Sequence, residues 1–226
     1  MSCFLLPQVK IDSFSLPTEP LLLVSGGRAP SVSWLRSVAA GKKIWCIDHG
    51  IDICYTADLV PELLIGDFDS ALPQSLKWAS MNNVEIQQFP RAKDLTDTQL
   101  ALKKAADRPI LLTGAFGGRL DHLFSTVHFA ADNNQVIIAD EQELLLPLRG
   151  AASLTVTFIR RPLAISLLSL TPDCQEVTTN GLRWELNHAL LSQSMPYTVS
   201  NELKNDADKI KVNVAAGILG VYACWD

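Results

Sequence analysis

Three short stretches of the sequence combine residue types that can do chemistry together. Asp67 and Asp69 flank Phe68 in Gly66-Asp67-Phe68-Asp69-Ser70, immediately after the apolar run Leu63-Leu64-Ile65. On an extended chain, residues two apart point to the same side about 6.6 Å from each other, so both carboxylates can reach one cation. Asp94 and Asp97 stand three apart in Asp94-Leu95-Thr96-Asp97-Thr98-Gln99, ahead of a helical pattern that opens at Leu100. Thr96 followed by Gln99 also fits a capping box, and acids suit a helix amino terminus. Capping accounts for Thr96 and one acid but leaves the second acid unexplained. The third stretch runs from Gly114 to His122, Gly-Ala-Phe-Gly-Gly-Arg-Leu-Asp-His, between the strand-like Ile110 to Thr113 and an amphipathic helix. Gly114, Gly117 and Gly118 let the backbone approach a ligand, and amides at a helix amino terminus meet an anion. Arg119 adds a fork suited to phosphate oxygens. His122 reads either as part of that site or as a capping or core histidine.

If these stretches converge, the acids need a cation, because two carboxylates roughly 4 Å apart at an effective dielectric near 20 repel by about 4 kcal/mol. Aspartate oxygens completed by phosphate favour Mg²⁺ over zinc, which would call for His or Cys. Magnesium, an arginine and a glycine loop are the equipment of a nucleotide-dependent transfer enzyme, although the pattern G-x-x-x-x-G-K-[ST] is absent.

The elements that must hold these residues follow from periodicity. Short apolar runs alternate with helical patterns up to about residue 140: Leu21 to Ser25, Lys43 to Ile47, Leu63 to Ile65, Val84 to Phe89, Ile110 to Thr113 and Val136 to Ala139 are strand candidates. Leu120, Leu123, Phe124, Val127, His128 and Ala131 fall on one helical face and predict a buried stripe. Beyond residue 140 strand patterns take over, at Leu144 to Leu148, Leu154 to Ile159, Leu163 to Leu170, Leu182 to Leu186, Ile210 to Val214 and Ile218 to Trp225, with Asn180-Gly181 as a hairpin turn. The expected architecture is α/β: a mostly parallel α/β nucleotide-binding domain over 1–140, then an all-β sandwich over 141–226.

Composition removes other classes. The chain has 226 residues, 48% hydrophobic, enough apolar content to exclude disorder. The formal net charge is −5, with 15 acidic against 12 basic groups in 1–140 and 9 against 7 in the rest, so no basic excess points to nucleic acid or an anionic membrane. No apolar run is long enough to span a bilayer, and Met1 to Pro20 lacks the basic start of a secretory signal. Five cysteines without a C-x-x-C pair suggest free thiols in a reducing cytoplasm.

Gly66 to Ser70, Asp94 to Asp97 and Gly114 to His122, in this order and spacing, closely resemble the thiamine pyrophosphokinase family. Gly181-Leu182-Arg183-Trp184-Glu185-Leu186 resembles its G-L-[KR]-W-x-L, and Ser200-Asn201 its later S-N. The resemblance implies a homodimer that transfers the pyrophosphate group of ATP to the hydroxyl of thiamine, giving thiamine diphosphate and AMP. It implies Mg²⁺ on Asp67, Asp69 and Asp97, with Asp48 and Asp94 in the same acidic pocket. Gly114, Gly117, Gly118, Arg119 and His122 would serve the nucleotide, and Arg119 and Asp121 the transfer. Trp184, Ser200 and Asn201 would serve thiamine, across the dimer interface. Asp97 and Asp121 are both candidates to remove the thiamine proton. The alternation of Leu182, Trp184 and Leu186 leaves a core role for the indole open.

Two departures fall near the expected nucleotide site. The family's D-G-[GA]-A-N reads here Asp48-His49-Gly50-Ile51-Asp52, and Phe116 stands where threonine is common. The alternatives are pyrophosphate transfer to another alcohol, such as a hydroxymethylpterin, and a catalytically silent nucleotide or thiamine-binding protein.

Overall fold

The computed structural model describes residues 2–13, 20–105, 108–133 and 135–226. The chain divides into two compact units, one of residues 19–140 and one of residues 1–18 together with 141–226. Strands β1 (Ser2–Leu6) and β2 (Val9–Ser13) form an antiparallel hairpin at the amino end.

The unit of residues 19–140 alternates strands and helices: β3 (Leu21–Val24), α1 (Val32–Ala39), β4 (Ile44–Ile47), α2 (Gly50–Ala57), β5 (Leu63–Gly66), α3 (Pro73–Met81), β6 (Glu85–Gln88), α4 (Asp97–Lys104), β7 (Ile110–Thr113), α5 (Leu120–Asn133) and β8 (Val136–Ala139). Its strands are parallel in the order β8-β7-β3-β4-β5-β6. Strands β3, β4, β5, β7 and β8 are buried at every position, which is why each reads as an unbroken apolar run rather than an alternation. Edge strand β6 is mostly exposed and correspondingly polar. Helix starts follow local chemistry: the Ser31 hydroxyl accepts from the Trp34 amide, Pro73 opens α3, and α4 begins with the complete Thr96/Gln99 capping box.

In the second unit, β9 (Glu143–Arg149), β10 (Ala152–Phe158), β11 (Ala164–Ser169), β12 (Asp173–Asn180), β13 (Ala189–Ser192), β14 (Lys209–Val214) and β15 (Ile218–Cys224) pair antiparallel with their neighbours. One group has the order β1-β2-β10-β14-β12-β13, and another the order β11-β15-β9.

Four expectations need correction. The opening hairpin does not belong with residues 19–140: β2 pairs with β10, in register Ile11 to Val156, and Phe4, Leu6, Val9 and Ile11 are buried in the β unit. Leu182 to Leu186 is not a strand. Leu182 makes a single bridge to Leu203, and the chain crosses a loop before β13. Asn180-Gly181 is therefore not a two-residue hairpin: Asn180 ends β12, and Gly181 alone of the two has positive φ, at 90°. The apolar stripe on α5 is real as a periodicity but is buried only at its far end: Leu120 is 79% and Phe124 62% exposed, Leu123, Val127 and His128 are half-buried, and Ala131 is buried.

Candidate active site

Because the strands are parallel, β3, β4, β5 and β7 deliver their carboxyl ends to one edge of the sheet. The chain leaves β3 toward β4, β5 and β6 on one side, whereas β7 and β8 lie on the other. The two neighbouring strand ends thus frame a switch point, where open α/β sheets bind ligands. A cavity of about 810 Å³ lies there. It gathers Asp48, Asp67, Asp69, Asp94 and Asp97 from the predicted acids, and Gly114, Gly118, Arg119 and His122 from the predicted loop.

The glycine loop is built against a second one. The Gly27 amide donates to Gly114 O at 2.6 Å, and the Arg28 amide to Phe116 O at 2.7 Å. Gly114 has φ +69°, and a Cβ there would stand 2.1 Å from Ser25 O, so no larger residue allows the two loops to join. Gly117 does not line the cavity; its Cα packs behind the loop, where a Cβ would lie 2.6 Å from Cβ of Arg28. Phe116 is buried in the same place, with the Arg28 guanidinium 6.0 Å from its ring centroid. This departure from the family pattern therefore falls behind the anion loop and not on the ligand side.

Asp48, Asp67 and Asp69 each bring a carboxylate oxygen to within 4.8 Å of the others. Asp67 and Asp69 converge through a turn and not through an extended strand. Phe68 between them adopts φ +64°, and the Asp69 amide donates to Asp67 Oδ1 at 3.2 Å. Asp48 organises that turn, accepting from the Phe68 amide at 3.1 Å and from the Ser70 hydroxyl at 2.6 Å. Three hard oxygen donors at this spacing suit a cation such as Mg²⁺. Asp97 lies outside this group of three, in the first turn of α4.

Lys93 joins the two sets of acids. Its ammonium stands 3.1 Å from Asp67 Oδ2, 3.3 Å from Asp97 Oδ1 and 3.0 Å from Pro90 O, and its side chain is 15% exposed. Burial disfavours the charge on Lys93, but the hydrogen bond to Asp67, the close ion pair with Asp97 and the charges of both acids outweigh it and raise the lysine pKa. The Asp67 carboxyl is held below its ordinary value: burial works against this, and the Asp69 amide, Lys93 and Arg91 overcome it. Asp97 moves the other way. Burial raises its pKa, Lys93 counters in part, and the charges of Asp67 and Asp48 raise it further.

Arg119 and Asp121 form a bidentate pair at the start of α5, Nε to Oδ1 at 3.1 Å and Nη2 to Oδ2 at 2.5 Å. Both are largely exposed, and Asp121 does not line the cavity. The hydrogen bond from Arg119 holds its carboxyl below the ordinary aspartate range. His49 turns to Asp52 Oδ2 at 2.9 Å and to the Ser70 carbonyl at 3.1 Å. Gly50, the glycine retained from the family pattern, approaches β3 so closely that a Cβ would stand 2.0 Å from Val24 O.

In the β unit, Trp184 is 55% exposed and lies outside any strand, which removes the core reading of its indole. The Arg183 guanidinium sits 4.7 Å from its ring. Asn201 is buried, and its side chain holds the Trp184 backbone at both ends, accepting from the amide at 3.2 Å and donating to the carbonyl at 2.8 Å. Ser200 has φ +57°, and its amide donates to the Ser166 hydroxyl.

Sequence reasoning passed over Gly26-Gly27, Arg28, Ser70 and Lys93. The Gly26-Gly27 pair just beyond the apolar Leu21 to Val24, and a lysine directly before Asp94, are signals that were present.

The profile described as the thiamin pyrophosphokinase catalytic domain matches residues 36–139, and that of the thiamin pyrophosphokinase vitamin B1 binding domain matches residues 147–219. The chain is similar to the thiamine pyrophosphokinase of Bacillus subtilis (strain 168), at 24% identity over 189 residues, covering 80% of this chain and 88% of that one. Among solved structures it is similar to the Bacillus subtilis thiamine pyrophosphokinase, with TM-score 0.79 and 23% identity over 91% of this chain and 99% of the other. It is also similar to that of Geobacillus thermodenitrificans, with TM-score 0.77 and 28% identity over 91% and 97%. With both domain profiles matched in order over most of its length, the chain belongs to the thiamin pyrophosphokinase family.

Proposed function

We propose that this protein transfers the pyrophosphate group of ATP to the hydroxyl of thiamine, releasing thiamine diphosphate and AMP. The observation that carries the reading is the meeting, in one cavity at the strand ends, of an oxygen-only acid cluster with a glycine loop that opens a helix. Asp67, Asp69 and Asp97 hold Mg²⁺, with Asp48 adjoining, and the ion supplies charge neutralisation for the phosphates. The loop from Gly114 to Gly118, with Asp94, Arg119 and His122 around it, positions the nucleotide. Such transfer depends on in-line placement and electrostatics more than on covalent help. Of the two carboxylates considered for the thiamine proton, Asp97 lines the cavity and Asp121 does not, which favours Asp97.

The unit of residues 19–140 is the ATP and magnesium domain. The β unit is a sandwich that binds thiamine through Trp184, with Ser200 and Asn201 shaping the loop, and forms a homodimer. Exposed Met195 and Tyr197 of that unit support a second copy as their cover. The enzyme works in the cytoplasm, a reading supported by the absence of any disulfide among the described residues; no helix among them is long and apolar enough to cross a membrane.

The vitamin B1 binding match favours thiamine over a hydroxymethylpterin, and the clustered acids favour an enzyme over a silent binder. The test is AMP release from ATP and Mg²⁺ with thiamine, with a hydroxymethylpterin, and with no acceptor. Turnover that depends on thiamine is expected; pterin-selective or acceptor-independent turnover would overturn the assignment.

A further inference from the structure

The acids of the cavity are already provided with cations from the protein itself, and they are not provided equally. Asp69 pairs with Arg91, whose side chain is 84% exposed, a contact that water and salt weaken. Lys93 is different. Its ammonium donates to Asp67 Oδ2 and to the Pro90 carbonyl, and it stands 3.3 Å from Asp97 Oδ1 as an ion pair, an oxygen that is buried and has no hydrogen-bond partner. It is nearly buried, it enters from the loop before α4, and it lines the same cavity as the acids it joins. It touches two of the three carboxylates assigned to the metal. The groups facing it are the carboxylates of Asp67 and Asp97, with the charge of Asp48 beyond; Arg91 also acts on Asp67, through its charge and not through a contact.

We propose that Lys93 is a built-in counter-ion that holds Asp67 and Asp97 together and competes with the divalent cation for both, so that metal entry and release of the lysine are one event. The inference rests on the magnesium assignment above and deepens it. A cation that takes up Asp67 meets a positive charge a few ångströms away unless the ammonium moves off. The lysine stem is long and flexible, and Lys93 has a new partner at hand once an anionic ligand enters the same cavity. Metal and polyphosphate therefore bind better together than singly: the metal takes the acids and the phosphate takes the lysine. In the absence of both, the lysine spares the fold the repulsion of Asp67 and Asp97.

The test is the affinity of the substrate-free protein for Mn²⁺, followed by the electron paramagnetic resonance of the free ion, in the unchanged protein and in Lys93→Met and Lys93→Arg. Removing one positive charge from beside the metal site is expected to tighten Mn²⁺ binding by about tenfold in Lys93→Met, whereas Lys93→Arg, which keeps the charge, should stay within about twofold of the unchanged protein. The melting temperature of metal-free Lys93→Met should fall and recover on adding Mn²⁺. A lysine that merely supports the fold would give weaker or unchanged Mn²⁺ binding in Lys93→Met, and that result overturns the inference while leaving the metal site standing. Absence of Mn²⁺ binding in all three proteins overturns the inference and the metal assignment together. If Lys93→Met does not fold without metal, Lys93→Gln replaces it with the same expectation.

Discussion

The Arg28 guanidinium grips Asp140 Oδ2 through two of its nitrogens, Nε at 3.0 Å and Nη2 at 2.6 Å, although the two residues are more than a hundred positions apart. Asp140 is 1% exposed in its side chain and Arg28 29%, so a buried carboxylate at the end of β8 is paired with a half-buried guanidinium. The same arginine faces the Phe116 ring, and its amide holds the Phe116 carbonyl. One residue thus joins the loop after β3 to the glycine loop after β7 and to the end of β8, and it explains how an aromatic fits where the family commonly has a small polar residue.

Arg28→Ala should therefore act on stability and on the nucleotide together. Taking the guanidinium from a buried carboxylate is expected to cost on the order of 3 kcal/mol, read as a lower urea midpoint at unchanged slope. The KM for ATP should rise while that for thiamine stays near its original value. Equal changes in both constants would assign Arg28 to stability alone.

Asp69 tests the acid cluster with least risk to the fold, since its side chain is 43% exposed. Asp69→Asn should lower turnover by at least about tenfold, as weakened metal shells do, with an unchanged circular dichroism spectrum. Near-normal turnover at saturating Mg²⁺ would remove Asp69 from the metal site.

Trp184 and Asn201 separate contact from positioning. Trp184→Ala should raise the KM for thiamine far more than that for ATP, because an indole face attracts the thiazolium cation. Asn201→Ala frees the Trp184 backbone at both ends and is expected to repeat that pattern in milder form, with added loss of stability from the buried amides and carbonyls it no longer satisfies. A stability loss in Trp184→Ala without a selective thiamine effect would contradict the ligand role of the exposed ring.

The loop that carries Trp184 has a pH-dependent fastening. Glu185 accepts from Lys204 at 2.6 Å and from the Gly181 amide at 2.8 Å, and these bonds, the lysine first, lower its pKa. A lowered folded pKa means that the contribution is fully present above the ordinary glutamate value of about 4.3 and is lost as pH falls through the lower folded value. The fluorescence difference between the unchanged protein and Trp184→Phe should accordingly shift only below pH about 4, and Glu185→Gln should abolish the transition. A transition centred above the ordinary glutamate value would show that another group fastens the loop.

The parallel strands were legible because burial on both faces writes them as unbroken apolar runs; Ile110 to Thr113 and Val136 to Ala139 agree to the residue. Strand β12, with Gln175, Glu176 and two threonines, gives no such run and was missed. Periodicity on α5 correctly groups Leu120 with Phe124 on one face, yet periodicity says which residues share a face and not what covers it. The closeness of Asp67 and Asp69 was legible, whereas the turn that makes it was not, because a left-handed Phe68 has no propensity signal. Lys93 was overlooked for a related reason: among neighbouring charges a lysine reads as solvated surface, and only the fold shows it inserted between two carboxylates.

The placement of β2 beside β10 sets an unusual timetable for a chain made from its amino end. The hairpin of residues 2–13 leaves the ribosome ahead of residues 19–140, yet the strand it must lie against begins at Ala152, after the whole of that unit has emerged. The α/β unit has all its strands in hand by then and can fold as it appears. The earlier-made hairpin instead waits, with Val9 and Ile11 uncovered, for a strand made after that unit. Its unsatisfied strand edge is the part most exposed to mispairing between neighbouring nascent chains, and the time for which it stays open is the time taken to translate the unit between.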